Sequence, residues 1–282
     1  MQNIPWWAKI LAKIVLSRFP FRYEIWQGLR IFRCGQMDDS DYAISVFNNH
    51  AGKAGVIKSL YGKTILELGP GDSVATAIIA ASYGARAILV DVGKFARRDV
   101  LMYKKLVKKI TDLGLSPPNL SECRNLDMIL DICGARYMTN GLASLAQIKD
   151  GSIDFIFSNA VLEHVRKSEL LETMKECRRI LSQNGICSHY IDLRDHLDNA
   201  LNNLRFSEWL WESKLFVKSG FYTNRIRYRD MLKIFSNAGF SYEVIELTRW
   251  PGMPTPRHKL ASAFRNLPVE ELCVSEFSVL LW

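Results

Sequence analysis

Short apolar runs alternate with helical patterns through the middle of the chain. Runs rich in branched residues predict buried strands, and apolar positions that recur every three to four residues predict helices. The predicted strands lie at residues 64–68, 87–91, 135–138, within 151–165, and at 186–193, 240–247 and 271–282. The predicted helices lie at residues 75–81, 95–113, 125–133, 169–181 and 228–238. Strands that alternate with helices in this way indicate an α/β protein.

The first predicted strand runs into a turn that contains two glycines. Gly69 and Gly71 let the backbone come close to a ligand at the strand end. Strand, glycine turn and helix form the opening of a nucleotide-binding unit, although a purely structural turn in another α/β protein is the alternative. The second predicted strand ends in Asp91, where a carboxylate can accept hydrogen bonds from both hydroxyls of a ribose. The spacing therefore predicts a ligand that carries a ribose.

The charges around this turn disfavour a dinucleotide. Glu67 precedes the turn and Asp72 lies within it, and both carboxylates would repel a pyrophosphate at the helix N-terminus. Val74 also stands where the G-x-G-x-x-G pattern has its third glycine. A ligand with a ribose, no phosphate and a cationic end fits better, and S-adenosylmethionine is such a ligand.

The turn resembles motif I of class I S-adenosylmethionine-dependent methyltransferases, with Glu67, Gly69, Gly71 and Ser73 matching the motif. Residues 151–165 resemble motif IV of the same superfamily, about 90 residues further along in the right order. The resemblance implies a Rossmann-like, doubly wound, seven-stranded sheet with an antiparallel last strand. It also implies S-adenosylmethionine as the cofactor. The implied cofactor-binding residues are Glu67, Gly69, Pro70, Gly71, Asp72, Ser73, Asp91, Val92, Asn140, Gly141, Ser158, Asn159 and Ala160.

The adenine contact departs from the family pattern. Family members often have an acidic residue after the third strand that contacts the adenine amino group. This sequence has Thr139 or Asn140 at that place, and an amide oxygen can accept the same hydrogen bond.

Titratable residues are densest at the end of the predicted strand 186–193. His189 and Asp192 lie in or near this strand, and Asp195 and His196 follow it. The carboxyl ends of parallel strands face the ligand crevice, and histidine has a pKa suited to removing a proton from a hydroxyl. We therefore expect His189 or His196 to be the catalytic base, oriented by Asp192 or Asp195. A core position is the alternative for His189.

Two further interpretations of this region stay open. His164 belongs to a Glu-His pair after motif IV and is a further catalytic candidate. Asp192, Asp195 and His196 could instead hold a divalent metal ion that polarises a diol. No other ligand is evident at close spacing, and no cysteine forms a Cys-x-x-Cys zinc pattern. The expected site therefore contains no metal.

The N-terminal residues predict a basic amphipathic helix, opened by Pro5 with Asn3 as a cap. Such a helix suits the lipid–water interface, or it packs on the domain or on a second subunit. A peripheral membrane contact through residues 1–18 and a homodimer therefore both stay open. Its apolar residues are Trp6, Trp7, Ile10, Leu11, Ile14 and Val15, and its basic residues are Lys9, Lys13 and Arg18.

The expected organisation is a helical extension or cap at 1–62 and a methyltransferase domain at 63–282 with an aromatic-rich insert at 197–225. Helical pieces are predicted near 24–32 and 42–58. By the family resemblance, Met37, Tyr42, Phe47 and His50 are candidates to line the pocket. For the insert, packing as a lid is favoured over stacking on sugar rings. Its aromatic residues are Phe206, Trp209, Trp211, Phe216, Phe221 and Tyr222.

Charge and cysteine usage narrow the setting. The 282-residue chain has a net charge of +8, which permits an acidic partner but requires none. Nucleic acid is disfavoured because residues 158–161 read Ser-Asn-Ala-Val, not the Asn/Asp-Pro-Pro-aromatic motif of base-amine methylation. The six cysteines form no disulfide-like or zinc-like pattern. With no apolar run long enough to span a bilayer and no evident signal peptide, a cytoplasmic location is expected, with contact to the inner face of the membrane left open.

The expected function is O-methylation of a sugar or glycan hydroxyl, with a lipid-linked acceptor as one form. This follows from a resemblance of most of the chain to bacterial methyltransferases of polysaccharide or glycoside biosynthesis. The alternatives are a small aromatic or amine metabolite as acceptor, RNA methylation, or a cofactor-binding scaffold without catalysis.

Overall fold

The structure is a computed structural model that describes residues 4–18 and 35–282. The predicted cap Asn3 and the predicted helical piece at 24–32 lie outside the described residues. Within the described part of the chain, no helix combines the length and the apolar character needed to cross a bilayer.

A mixed sheet of seven strands has the order β3-β2-β1-β4-β5-β7-β6. The strands β1 to β5 pair in parallel, whereas β7 is antiparallel to both β5 and β6. This confirms the predicted doubly wound sheet with an antiparallel last strand. The strands are β1 (Thr64–Leu68), β2 (Arg86–Val90), β3 (Arg136–Met138), β4 (Ile153–Asn159), β5 (Leu181–Asp192), β6 (Tyr242–Arg249) and β7 (Val274–Leu281).

Helices connect the strands and also precede them. Three short 3₁₀ helices lie at Ile57–Ser59, Asn202–Arg205 and Arg257–Lys259. The α-helices of the described residues are α1 (Trp6–Leu16), α2 (Ser40–Lys53), α3 (Ala75–Ser82), α4 (Val100–Asp112), α5 (Leu126–Ile132), α6 (Leu142–Leu145), α7 (Leu170–Ile180), α8 (Glu208–Trp211), α9 (Lys214–Val217), α10 (Tyr228–Asn237), α11 (Ser262–Arg265) and α12 (Val269–Leu272).

The central strands are buried on both faces, which explains why their sequences are continuously apolar. Leu66 and Ile156 belong to a core beneath α7 and α10. Ile65 and Phe157 point to the other face and join a core with α2, α3 and α4. Because α2 shares this second core with β1, the part of the predicted extension that the structure describes is continuous with the domain.

Strand β5 begins earlier than the sequence predicts. The sequence predicts a helix to residue 181 and a strand from residue 186, but α7 ends at Ile180 and β5 begins at Leu181. The pairing with β4 jumps from Ile153–Leu181 to Phe155–Ile186. The intervening residues form a bulge, a local insertion that a strand tolerates at the start of its pairing. Gln183, Asn184 and Gly185, which are typical of turns, therefore belong to an irregular part of β5 and not to a loop.

The aromatic insert has its own small core, which includes α1. Trp211 and Phe221 are almost fully buried, and Ile10 of α1 packs against this cluster. Trp6 and Ile14 of α1 lie against the same cluster. The insert is therefore mainly a packed lid, as the sequence favoured, and α1 is one of its walls.

Candidate active site

The glycine turn after β1 approaches two neighbouring segments closely. Gly69 has φ of 67°, and a Cβ atom at this position would lie 2.6 Å from a side-chain carbon of Val161. Gly71 has φ of 64°, and its N–H donates to Asp91 Oδ2 at 3.0 Å. Only glycine adopts these conformations without strain. The turn therefore lies directly over the ends of β1, β2 and β4.

Asp91 lies at the end of β2, where its carboxylate is preorganised. Its Oδ1 accepts from the N–H of Val92 at 2.7 Å, and its Oδ2 accepts from Gly71. Burial raises the pKa of Asp91 to about 6. Each carboxylate oxygen has more than one lone pair, so the same group can still accept hydrogen bonds from ribose hydroxyls.

An apolar surface lies next to this carboxylate. Val92 is 77% exposed, which is unusual for a large aliphatic side chain directly after a buried strand. The N–H of Gly141 donates to the carbonyl of Asp91 at 2.8 Å, and a Cβ on Gly141 would lie 3.1 Å from Val92. Asn140 is anchored by its N–H to Ser144 Oγ at 3.0 Å. The exposed side chain of Val92, with Gly141 beside it, is an apolar surface suited to contact with a nucleobase.

Glu67 provides the strongest sign of a cationic ligand. Its side chain is 3% exposed, and its Oε2 has no hydrogen-bond partner among the described residues. Burial raises the pKa of Glu67 to about 8, although a hydrogen bond from Thr76 works against this rise. A buried carboxylate oxygen without a partner is costly, and a positively charged group would relieve that cost. The buried carboxylate of Glu67, the hydrogen-bond acceptor Asp91 and the apolar surface at Val92 together fit the cation, the ribose and the adenine of S-adenosylmethionine.

We expect this burial to make cofactor affinity depend on pH. Because the pKa of Glu67 lies near 8 without ligand, its ionised fraction rises as the pH goes from 7 to 9, and a cationic ligand favours the ionised form. The affinity for S-adenosylmethionine, measured by calorimetry, should therefore rise about tenfold relative to a Glu67→Gln variant. The ratio to that variant removes the titration of the ligand's own amino group. A ratio that does not change with pH would contradict the assignment.

The glycine turn itself contains three further residues of the predicted cofactor set. Pro70, Asp72 and Ser73 are buried. The carbonyl of Asp72 accepts from the N–H of Arg97 at 2.9 Å, and Ser73 Oγ accepts from Ala75 N at 3.0 Å. These residues support the turn and the start of α3.

The end of β4 forms the next part of the crevice. Ala160 has φ of 54°, a left-handed conformation that is strained for a residue with a Cβ. Its N–H donates to the carbonyl of Tyr190 at 2.9 Å. The preceding Asn159 donates from Nδ2 to Tyr42 Oη at 3.1 Å, and its Oδ1 lies 3.3 Å from His50 Nε2. The strained turn thus aims Asn159 at α2.

The loops after β4 and β5 bring two histidines together. His164 Nε2 and His196 Nε2 are 3.0 Å apart, and the two rings stack with centroids 4.8 Å apart. His164 Nδ1 lies 2.9 Å from the carbonyl of Tyr222. Because a carbonyl only accepts, Nδ1 carries the proton and Nε2 carries the lone pair. Desolvation in the cleft, and secondarily the neighbouring imidazole, lowers the pKa of His164 to about 4.

Glu163 lies beneath this pair. It is 1% exposed, and its Oε1 accepts from Asp192 N at 3.3 Å, whereas its Oε2 has no hydrogen-bond partner within residues 4–18 and 35–282. Burial raises the pKa of Glu163 well above its usual range. From the sequence, Glu163 was considered only as the neighbour of His164. An acidic residue directly after the apolar run 160–162 was the available signal.

His189 lies in a different environment. Its side chain has no exposed surface, its Nδ1 is 2.7 Å from Ser158 Oγ, and its ring stacks on Phe235 of α10. Burial lowers the pKa of His189 to about 3. A base must reach the acceptor, so the structure favours the core position that the sequence left open for His189. We therefore retain His164 and His196 as the proposed catalytic pair.

The two aspartates of the cluster hold the surrounding chain. Asp192 pairs with Arg194 at 2.8 Å, and Arg194 also reaches Glu276 at 2.9 Å. Asp195 accepts hydrogen bonds from three backbone N–H groups of the residues that follow it. This role was not predicted from the sequence. Both carboxylates therefore act first as anchors of the loop that carries His196.

Comparisons with known proteins agree with this geometry. Residues 90–188, about a third of the chain, match a family model described as "Methyltransferase domain". A search of the curated proteins finds no match.

Solved structures with a similar fold include three that illustrate the range. A methyltransferase from Archaeoglobus fulgidus is 10% identical, with 86% of this chain and 94% of that chain covered and a TM-score of 0.46. The YcgJ protein of Bacillus subtilis is 16% identical, with coverages of 83% and 97% and a TM-score of 0.45. A phosphoethanolamine N-methyltransferase from Haemonchus contortus is 14% identical, with coverages of 94% and 58% and a TM-score of 0.49. Similarities at this level concern the fold. The matched residues 90–188 run from the end of β2 into β5 and include Asn159 and His164 of the cleft.

Proposed function

We propose that the protein methylates a hydroxyl of a sugar or glycan, and that the acceptor is linked to a lipid. When bound, S-adenosylmethionine supplies a methyl group that is already activated. The protein's remaining tasks are to align the acceptor and to take its proton. The observation that carries the proposal is the bare Nε2 of His164, held at the carboxyl edge of the sheet beside the cofactor crevice.

A hydroxyl acceptor needs a group that removes its proton. His164 offers a lone pair at a position fixed by its hydrogen bond to Tyr222. His196, which donates from Nε2 to that lone pair at 3.0 Å, would give way to the acceptor hydroxyl. An amine that arrives neutral would need such a group less, so the pair favours oxygen as the methylated atom.

Polar side chains on the α2 side of the crevice suit an acceptor with several hydroxyls. Tyr42 and Asn159 are hydrogen-bonded to each other on one side. Tyr190 Oη donates to Glu276 at 2.6 Å, and Arg194 lies against the same carboxylate. Charged and amide groups of this kind bind sugar hydroxyls through paired donors and acceptors. A flat aromatic acceptor would find fewer apolar contacts here.

Helix α1 supports the lipid linkage because its apolar residues face two directions. Ile10 points into the insert, but Trp7, Leu11 and Val15 are 54%, 57% and 58% exposed. On the basic side of this helix, Lys9 donates to the carbonyl of Leu197 at 2.6 Å, directly after His196, so the helix lies beside the catalytic pair.

A cavity with basic side chains lies at the C-terminal end of α1. Arg18, Lys214 and Lys218 line a cavity of about 330 Å³ together with Ser17 and Leu215. Cationic side chains next to exposed tryptophan and leucine match the chemistry of an anionic lipid surface. We infer that this face rests on the inner face of the cytoplasmic membrane and presents the crevice to lipid-linked acceptors.

Substitution of this stripe tests the membrane contact. Changing Trp7 and Leu11 to glutamate should lower co-sedimentation with anionic phospholipid vesicles at least tenfold, because each buried apolar side chain contributes about 1.5–3 kcal/mol. Leu101 is similarly exposed at 68% but lies on α4, so Leu101→Glu is the matched control. Equal binding by all three proteins would reject the membrane contact.

The acceptor class is tested by assaying labelled methyl transfer to panels of lipid-linked sugars, free glycosides, phenols and amines. We expect labelled product from the sugars, and the label should stay on the sugar in alkali because a methyl ether is not hydrolysed. Product only from amines or phenols would replace the proposed acceptor by the small-metabolite alternative. Cofactor binding without product from any panel would favour the scaffold alternative.

A further inference from the structure

A carboxylate and two imidazoles converge at one point of the cleft. One potential ligand atom each from Glu163, His164 and His196 lies within 4.8 Å of the others. The two Nε2 atoms are 3.0 Å apart. Two nitrogen ligands of a tetrahedral zinc ion, each about 2.0–2.1 Å from the metal, are separated by roughly 3.3 Å. The spacing of the imidazoles is therefore close to that of a shared ion.

The hydrogen bond on the far side of His164 has the form found in metal sites. Metal-bound histidines almost always donate their second ring N–H to a carboxylate or a backbone carbonyl, which orients the ring. His164 Nδ1 donates to the carbonyl of Tyr222 at 2.9 Å. The insert thus aims the free Nε2 into the cleft. His196 is exposed, and a rotation of its ring would bring its lone pair to the same point.

Glu163 gives an independent sign of a cation. Its side chain is 1% exposed, yet its Oε2 has no hydrogen-bond partner in the part of the chain that the structure describes. A buried polar atom of this kind is rare because it gives up water without compensation. Its position against the two imidazoles means that one ion would satisfy all three groups.

The neighbouring carboxylates are already engaged. Asp192 pairs with the Arg194 guanidinium, and Asp195 accepts three backbone N–H groups. The ligand set Asp192, Asp195 and His196, considered from the sequence, is therefore not the set that the fold assembles. Among the described residues, the cluster that the fold assembles contains Glu163 and His164 instead.

We propose that Glu163, His164 and His196 bind a divalent transition-metal ion, with Zn²⁺ as the preferred ion. Two imidazoles and one carboxylate match zinc and cobalt and not the all-oxygen sites of magnesium or calcium. Three protein ligands leave an open position towards the cleft. If the proposed hydroxyl acceptor occupies that position, the ion takes the Nε2 lone pair of His164 and activates the hydroxyl in its place: it lowers the pKa of the hydroxyl, and the proton passes to solvent. The metal site itself does not depend on the identity of the acceptor.

The test is a metal titration of the full chain after removal of metals by a chelator. Zn²⁺ is titrated by calorimetry and Co²⁺ by its visible absorption, each with S-adenosylhomocysteine affinity measured on the same sample. We expect one equivalent to bind, and we expect Glu163→Gln and His196→Ala each to weaken binding at least tenfold. His258→Ala removes an exposed histidine on a 3₁₀ helix outside the cleft and should leave metal binding unchanged.

The outcomes separate the metal site from the proposed function. Absence of stoichiometric binding, or equal binding by the wild type and both cleft variants, would overturn the metal site. Exposed His196 tolerates truncation better than buried Glu163, so the His196→Ala result stands even if Glu163→Gln fails to fold. Metal binding that depends on the three residues supports the site even where no sugar is methylated. Loss of methyl transfer alone therefore bears on the acceptor and not on the ion.

Discussion

Replacing His164 by alanine is expected to lower the methyl-transfer kcat at least about 100-fold, because a positioned acid–base group contributes 10²–10⁴-fold. The variant removes the imidazole ring whose orientation towards the cleft is set by its hydrogen bond to the carbonyl of Tyr222. A proton acceptor and a metal ligand both need this Nε2 lone pair, so the loss is expected under either role. The proposed cofactor pocket lies at Glu67 and Asp91, away from this pair, so affinity for S-adenosylhomocysteine should stay within about twofold.

Two controls make the result specific. His258→Ala should keep full activity, because this histidine is exposed on a separate 3₁₀ helix. Added imidazole should restore part of the activity of His164→Ala, which a purely structural defect would not allow. A loss below threefold, or an equal loss in the His258 variant, would remove His164 from the reaction.

Replacing Arg227 by methionine is expected to destabilise the fold by about 3–5 kcal/mol. The guanidinium is buried and donates to the carbonyls of Leu193 at 2.8 Å, Leu272 at 3.1 Å and Val274 at 2.5 Å. Burial lowers its pKa to about 10, so it stays charged at neutral pH. Methionine fills much of the space but leaves these carbonyls without donors.

The matched control is Arg229→Met. Arg229 lies two positions further along, in α10, and its side chain is 65% exposed beside Glu271. Exposed ion pairs contribute about 0–1 kcal/mol, so this variant should unfold nearly like the wild type in urea. Arg227 joins the end of β5 to the start of β7, so its variant should also lose order in the loop that carries His196. Equal unfolding curves for the two variants would contradict this role.

The cofactor half of the site was predictable because it depends on neighbouring residues. The segment from Glu67 to Ser73 is continuous, and strand, turn and helix formation are local properties of the sequence. Asp91 follows from the length of one strand–helix–strand unit. The structure places these residues at one edge of the sheet, with Gly71 bonded to Asp91.

The catalytic half was less predictable because it depends on which face of a strand each residue occupies. Neighbouring residues of a strand point to opposite faces, so His189 lies against Phe235 while Tyr190 faces Glu276. The cluster of titratable residues after position 186 could be recognised from the sequence, but the face of the sheet to which His189 points could not. His164 receives its orientation from Tyr222, 58 residues away.

By itself the sequence determined the order of strands and helices, the glycine turn and the acidic residues around it on which the proposed cofactor site rests, because these are set by composition and spacing over short stretches. Only the tertiary structure decided that His164 meets His196 above Glu163, and that Lys9 and Lys13 of α1 bond to the insert while Trp7 is exposed. The physical reason is that those contacts join segments far apart in the chain, whose positions follow from packing and not from local pattern.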